Sequence, residues 1–312
     1  MEGVVRFVKP AISVIMLTYN RENLVSRAIE SVARQTFADY EFIVVNNGST
    51  DRSGIIADEY AKKDPRMRVI HRSKGNIGSG RNAGLDAAAG EYIAFIDDDD
   101  WCEPDFLEFL YSLAIDNCAG TSICGANGKA FDEKVVMNAE EAVIELLQRR
   151  RFNAGFPTKM FRRDIALCLR FSENGDYDDI SHMYRLLALS KRVVYHGLPK
   201  YTICRHDNNN SGWTTNHSLL TSKILDEYLE AYRMRTAWLS GIFPNRTAAF
   251  RYFELSFMVS MVEKINRLEL TDCMSQLDAM TRGLTENQDE FLSCKWITEL
   301  EKEWMKKYVC SK

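Results

Sequence analysis

"EYIAFIDDDDW", residues 91–101, joins a short apolar run to four consecutive carboxylates. The run is rich in β-branched and aromatic residues and too short for an ordinary helix, so it reads as a buried strand. Four adjacent carboxylates repel one another unless something compensates them. In an open parallel sheet, ligands gather beyond the carboxyl ends of the strands, so this junction marks a sheet and a site together.

Three similar runs precede it: ISVIML (12–17), EFIVVN (41–46) and MRVIH (67–71). Between the first two, Leu24, Val25, Ala28, Ile29, Val32 and Ala33 recur on one helical face, and Ile55, Ile56 and Tyr60 do so between the next two. In "GNIGSGRNAGLDAAAG" (75–90), Ser79 is placed to cap a short helix and Gly90 to end it. Strand and helix alternating in this way predict a parallel sheet, hence an α/β fold.

After the carboxylates, Pro104 opens a helix with Phe106, Leu107, Leu110, Leu113 and Ala114 as its apolar stripe. Residues 121–205 read as strands TSICGA, FPTKMFR, RVVYH and PKYTICR, with helices near 138–150 and 178–190. Beyond "RHDNNNSGW" the pattern is almost wholly helical. The polar stretch Asn208–Gly212 sets the expected boundary: one domain over 1–212, with halves 1–120 and 121–212, and a helical region over 213–312.

Charged residues are 27% of the 312, with a net charge of −4 and no long single-sign tail, so no nucleic-acid partner is expected. The eight cysteines form no C-x-x-C pair and read as reduced thiols. The N-terminal stretch lacks the apolar core of a signal peptide, and no run has the length and apolarity to span a bilayer, so a cytoplasmic protein is expected.

Each strand ends in polar residues: Thr18-Tyr19-Asn20-Arg21, then Asn46 to Asp51, then the glycine-rich loop with Arg81, then Asp97 to Asp100. An all-carboxylate cluster suits Mg2+ or Mn2+, which take oxygen ligands and share them with substrate phosphates. An extended backbone would project Asp97 and Asp99 to one side and Asp98 and Asp100 to the other. Asp99 is then the expected direct ligand, with Asp97 toward a ribose or the metal, and His206 is a candidate additional ligand.

The glycine-rich loop matches neither the dinucleotide fingerprint nor the lysine-bearing P-loop. Arg81 can offer several donors to a base or a diphosphate. Asp178 and Asp179 open a helix, where acids stabilise the terminus by about 0.3–1 kcal/mol without any catalytic role.

The stretches "SVIMLTYNRENLVSRAIESVARQTF", "EFIVVNNGSTDRS", "GNIGSGRNAGLDAAAGEYIAFIDDDDW" and "YDDISHMYRLLAL", in this order within residues 11–205, resemble glycosyltransferase family 2. The resemblance implies a GT-A fold, a mostly parallel mixed sheet flanked by helices, with residues 216–312 outside it. It implies a UDP-sugar donor and a glycan or lipid-linked saccharide acceptor, with Mn2+ or Mg2+ as cofactor. By position, Thr18, Tyr19, Asn20, Asn47, Asp51, Arg81, Asp97 and Asp98 would serve the donor nucleotide, and Asp97 and Asp99 would form the D-x-D element.

Asp179 falls on the second acid of the family's Glu-Asp pair, which implies the general base of an inverting displacement, with Asp178 replacing the usual Glu. Asn47 stands where the family usually has Asp. A non-catalytic nucleotide-sugar or glycan-binding protein on the same fold is the rival reading, while a nucleotidyltransferase would want a lysine-bearing glycine-rich loop after the first strand. The apolar run "FRYFELSFMVSM" (250–261) leaves room for core packing, a homodimer through the C-terminal helices or a peripheral membrane contact, with core packing the expected role.

Overall fold

The computed structural model describes residues 9–127, 131–173, 179–206, 212–214 and 216–310. The chain forms two compact units, one ending at Cys204 and one beginning at Arg205.

The first unit opens with β1 (Ile12–Thr18), α1 (Val25–Ala33), β2 (Tyr40–Asn46), α2 (Ser53–Ala61), β3 (Met67–His71), α3 (Ile77–Ala87) and β4 (Tyr92–Asp97). It continues through β5 (Trp101–Cys102), α4 (Phe106–Asp116), β6 (Thr121–Ala126), β7 (Lys134–Asn138) and α5 (Ala139–Gln148). It ends with β8 (Lys159–Arg162), α6 (Arg163–Ala166), α7 (Asp179–Leu189) and β9 (Arg192–Thr202). Among the described residues these make one mixed sheet in the order β3-β2-β1-β4-β8-β6-β9-β5, with β7 also paired to β9. β1 to β4 are parallel, and β8 enters antiparallel between β4 and β6.

The apolar runs explain the layers. Ile12, Val14, Ile15 and Met16 of β1 are all buried, as a strand covered on both faces requires, and α1 turns Val25, Ala28, Ile29 and Val32 onto the sheet. Burying each such aliphatic side chain contributes roughly 1.5–3 kcal/mol. In α3 a Cβ on Gly80 would meet Leu17 at 2.6 Å and one on Gly84 would meet Ile15 at 2.4 Å. These glycines therefore let α3 lie close on β1.

Several expectations change in detail. Asn76, not Ser79, caps α3: its side chain accepts from the Ser79 amide at 2.8 Å. Ile55 faces solvent rather than the core. RVVYH and PKYTICR fuse into the single strand β9, and β7, unpredicted, pairs with it through the register Val135↔Tyr195.

The second unit contains α8 (Ser222–Ile242), α9 (Thr247–Leu268), α10 (Met274–Glu286), α11 (Gln288–Leu292) and α12 (Glu299–Tyr308). Helices α8, α10 and α12 all pack on α9. The apolar run 250–261 lies in α9 and is used within this unit: Phe250, Tyr252, Leu255 and Met261 are buried, and Phe257 stacks on Tyr232 at 4.1 Å. Among the described residues, no helix is long and apolar enough to cross a membrane.

Candidate donor-binding and metal site

Parallel strands β1, β2 and β4 deliver their carboxyl ends to one edge of the first unit's sheet. The loops after β1 and β2 lock together there. Asn20 N–H donates to Ser49 Oγ (3.1 Å), Thr50 N–H to Asn20 Oδ1 (2.9 Å) and Arg21 N–H to Ser53 Oγ (2.7 Å). Asp51 accepts from the Glu22 amide (3.0 Å), the Ser53 amide (2.9 Å) and the Ser53 hydroxyl (2.6 Å). Partial burial works against its charge, but these hydrogen bonds prevail and hold Asp51 below the usual carboxylate range.

Gly48 sits at φ 83, and a Cβ there would meet the Lys74 backbone nitrogen at 2.4 Å, so only glycine fits this turn. Asn46 is anchored from the other side: it offers Oδ1 to the Ser49 amide (3.0 Å) and Nδ2 to His71 Nδ1 (3.1 Å).

Asn47 is buried. Its Nδ2 donates to the Gly75 carbonyl (2.9 Å) and the Asn76 carbonyl (3.2 Å), which fixes the amide orientation, while Oδ1 is buried with no hydrogen-bond partner among the described residues. An orphan acceptor in a protein interior is costly unless a ligand supplies a donor. Exposed Tyr19 lies close by, with the Lys74 ammonium 4.8 Å from its ring centre. Arg81, on α3, places its guanidinium carbon 4.4 Å from the centre of the Phe156 ring and 5.6 Å from that of Phe171.

At the end of β4 the chain does not stay extended. The Asp100 amide donates to the Asp97 carbonyl (3.3 Å), closing a turn that overturns the expected alternation. Asp97, Asp99 and Asp100 bring one oxygen each to within 4.8 Å of one another, the one group of metal-ligand type among the described residues. Asp98 turns the other way: it accepts from the Tyr19 amide (3.2 Å) and lies 3.7 Å from Arg21 Nε.

Burial, reinforced by Asp97 and Asp99, pushes Asp100 up to about 8, even though the Cys204 amide donates to it at 2.7 Å. Burial likewise pushes Asp98 up to about 7 against the opposing pull of the Thr18 hydroxyl and Arg21. Arg27 does not relieve the cluster directly, since its Nη2 donates to the main-chain carbonyl of Asp99 (2.7 Å) and its guanidinium lies over Trp101. A hard divalent cation fits this donor set of three close, partly to fully buried carboxylates.

Two contributors escaped the sequence reading. Asp100 joins the cluster because of the turn, which the run of identical residues could not disclose. Tyr201 on β9 accepts the Asp97 amide through its hydroxyl (3.1 Å) and so fixes the end of β4; nothing but its place in an apolar strand signals this.

Asp179 is the first residue of α7, in the same unit, while Asp178 lies outside the described residues. His206 belongs to the second unit, and the carboxylate group does not include it.

Known proteins give a consistent picture. EpsH of Bacillus subtilis is 34% identical over 206 residues, covering 62% of this chain and 60% of its own. Glycosyltransferase GlyA of Streptococcus pneumoniae is 36% identical over 284 residues, covering 78% of this chain and 40% of its own. The chain thus spans less than two thirds of the length of either relative.

The crystal structure of S. aureus TarS residues 1–349 in complex with UDP-GlcNAc superposes with a TM-score of 0.62 at 19% identity, over 90% of this chain and 89% of that one. The mannosyltransferase PcManGT from Pyrobaculum calidifontis, in complex with GDP-Man and Mn2+, gives 0.57 at 15% identity, over 98% and 86%. At these identities the likeness speaks for the fold alone. The model of glycosyl transferase family 2 matches residues 13–210, and with the strand-end geometry above this establishes that the chain belongs to that family.

Proposed function

We propose that the protein is an inverting, metal-assisted glycosyltransferase that moves a sugar from a UDP-sugar to a hydroxyl of a glycan or lipid-linked saccharide. The observation that carries this reading is the Asp97–Asp99–Asp100 group at the end of β4, where an open α/β sheet binds ligands. Asp99 and Asp97 would hold Mn2+ or Mg2+, with Asp100 beside them and His206 as a further candidate ligand. When bound, the ion neutralises charge on the departing nucleoside diphosphate.

The other donor contacts follow from the polar strand ends. Asn47 Oδ1, buried and without a partner among the described residues, can accept an N–H from the base. Uracil offers such an imino donor, and a carboxamide accepts it without the charge assistance of a carboxylate. Tyr19 presents an aromatic face beside Thr18, Asp98 accepts the Tyr19 amide, Asn20 and Asp51 hold the loop, and Arg81 supplies a cation on the donor side. Asp179, with Asp178 before it, takes the proton of the acceptor hydroxyl as that oxygen attacks from the face opposite the diphosphate, which inverts the anomeric centre. The catalytic domain would span residues 1–212, with 213–312 a helical appendage.

Isothermal titration with UDP and with GDP, with Mn2+ present or chelated, tests the donor site. UDP binding that requires both the metal and Asp99, and is lost in Asp99→Ala, is expected; preference for GDP would instead assign a different base to Asn47. Loss of transfer in Asp179→Asn with UDP binding retained would support the base, and full transfer by that variant would remove Asp179 from the role.

A further inference from the structure

Helix α1 carries a polar stripe beside its apolar one. Val25, Ala28, Ile29 and Val32 are buried against the sheet, while Arg27, Ser31 and Gln35 recur every four residues along α1 and into the turn that ends it. All three reach the segment that follows β4. Arg27 Nη2 donates to the Asp99 carbonyl at 2.7 Å, and Ser31 Oγ accepts the Cys102 amide at 3.3 Å. Gln35, which is buried, donates from Nε2 to the Glu103 carbonyl at 2.7 Å and accepts the Leu107 amide at Oε1, 2.8 Å away. The chain from Asp99 to Leu107 is thus laced to one helix at three levels.

The uppermost of these bonds acts on the carboxylate group itself. The peptide that joins Asp99 to Asp100 is planar, so holding both of its polar groups restrains the directions in which the two side chains leave it. Its N–H donates to the Asp97 carbonyl at 3.3 Å, a long bond, whereas its carbonyl accepts from Arg27 at 2.7 Å, a short and charge-assisted one. The Arg27 guanidinium carbon lies 4.2 Å from the centre of the Trp101 ring, which holds the arginine in place. Trp101 is fixed in turn by β5, where it pairs with Thr202 of β9. Arg27 is therefore turned to the backbone and the ring, not to the carboxylates beside it.

We propose that Arg27 is a positioning residue for the metal: clamped by Trp101, it holds the Asp99–Asp100 peptide in the orientation that brings oxygens of Asp97, Asp99 and Asp100 together around one divalent cation. This rests on the reading of those three carboxylates as the metal group. The sign of the effect separates a clamp from a simple charge. A cation beside a metal site repels the ion, so deleting it tightens Mn2+, whereas deleting a clamp that orients the ligands weakens Mn2+.

Mn2+ uptake can be followed by the loss of the free-ion electron paramagnetic resonance signal, without UDP and with UDP at one concentration in protein and protein-free samples alike. Arg27→Gln should weaken Mn2+ binding about tenfold. Arg27→Lys keeps the charge and a donor but not the planar face, and should recover part of that loss. Trp101→Leu should weaken Mn2+ with Arg27 still present. Arg27 is exposed on α1, so its exchange for glutamine leaves the core untouched, as circular dichroism should show. A merely structural arginine would alter the urea midpoint and leave Mn2+ affinity alone. Unchanged or tighter Mn2+ binding by folded Arg27→Gln, with the wild-type protein binding the ion, would overturn the clamp and leave the metal group standing. No Mn2+ uptake by the wild-type protein in either condition would overturn the metal reading, and the clamp with it.

Discussion

The loops after β1 and β2 and the turn after β4 share one edge of the sheet, yet they are built on opposite electrostatic plans. In the loops, Asn20, Asn46, Asp51 and Ser53 saturate one another and the nearby amides, and Asp51 is held below its usual range although partial burial opposes it. In the turn, Asp97, Asp99 and Asp100 crowd together, and Asp100 is driven up to about 8. The first region holds its shape by itself; the second has its geometry fixed at the expense of its charge. Under the proposed function, such a division suits a site preorganised for a neutral base and receptive to a cation.

The largest expected effect comes from removing a ligand from the crowded region. Asp99→Asn should lower metal-dependent UDP binding and turnover roughly a hundredfold, with the fold intact by circular dichroism. If titration with Mn2+ is unaltered, the turn is a self-contained acidic cluster and the comparison fails.

Breaking the saturated region should act on stability instead. Asp51→Ala removes an acceptor of three hydrogen bonds and should cost about 1–2 kcal/mol in urea unfolding, whether or not Mn2+ is added.

The crowded region should also report itself through pH. Asp98 and Asp100 have folded values above the unfolded value of 3.8, so the stability they contribute is fully present below about 4 and is lost as pH rises through about 7 and 8. Metal-free protein should therefore melt roughly 3 °C or more lower at pH 8.5 than at pH 5, and Asp100→Asn or added Mn2+ should reduce the difference. A melting temperature flat across this range would mean that the carboxylates are already compensated.

The smallest change sharpens the boundary between the regions. Asn47→Ala removes the buried acceptor and should weaken UDP roughly fivefold. An unaltered affinity would place the base elsewhere.

Much of the fold was legible because β1 to β4 are continuous apolar runs separated by amphipathic helices, and local periodicity reports such layers directly. β7 was missed because its apolar run, Val135 to Met137, is only three residues long, in a strand whose burial alternates. The division of β9 at Gly197-Leu198-Pro199 was wrong because pairing with β6, β5 and β7 outweighs the local turn chemistry of glycine and proline.

In the candidate site, Asp97 and Asp99 could be singled out by their place after a strand. Asp100 could not, because a turn rather than an alternating strand decides its direction. Lys159, one of two cations inside "FPTKMFR", carried no local sign of its burial, which depends on strands distant in sequence.

The insertion of β8 between β4 and β6 also bears on how the chain is made. β4 can pair with β1 as soon as it is made, because Ile12 precedes its partner Tyr92 in the chain, whereas Ala94 of β4 must wait for Met160. Until residues 159–162 emerge, one edge of β4 stands open beside the acidic turn, an unpaired strand of the kind that recruits other chains. The four carboxylates that crowd the finished site then give the nascent chain like charges that discourage edge-to-edge association during synthesis.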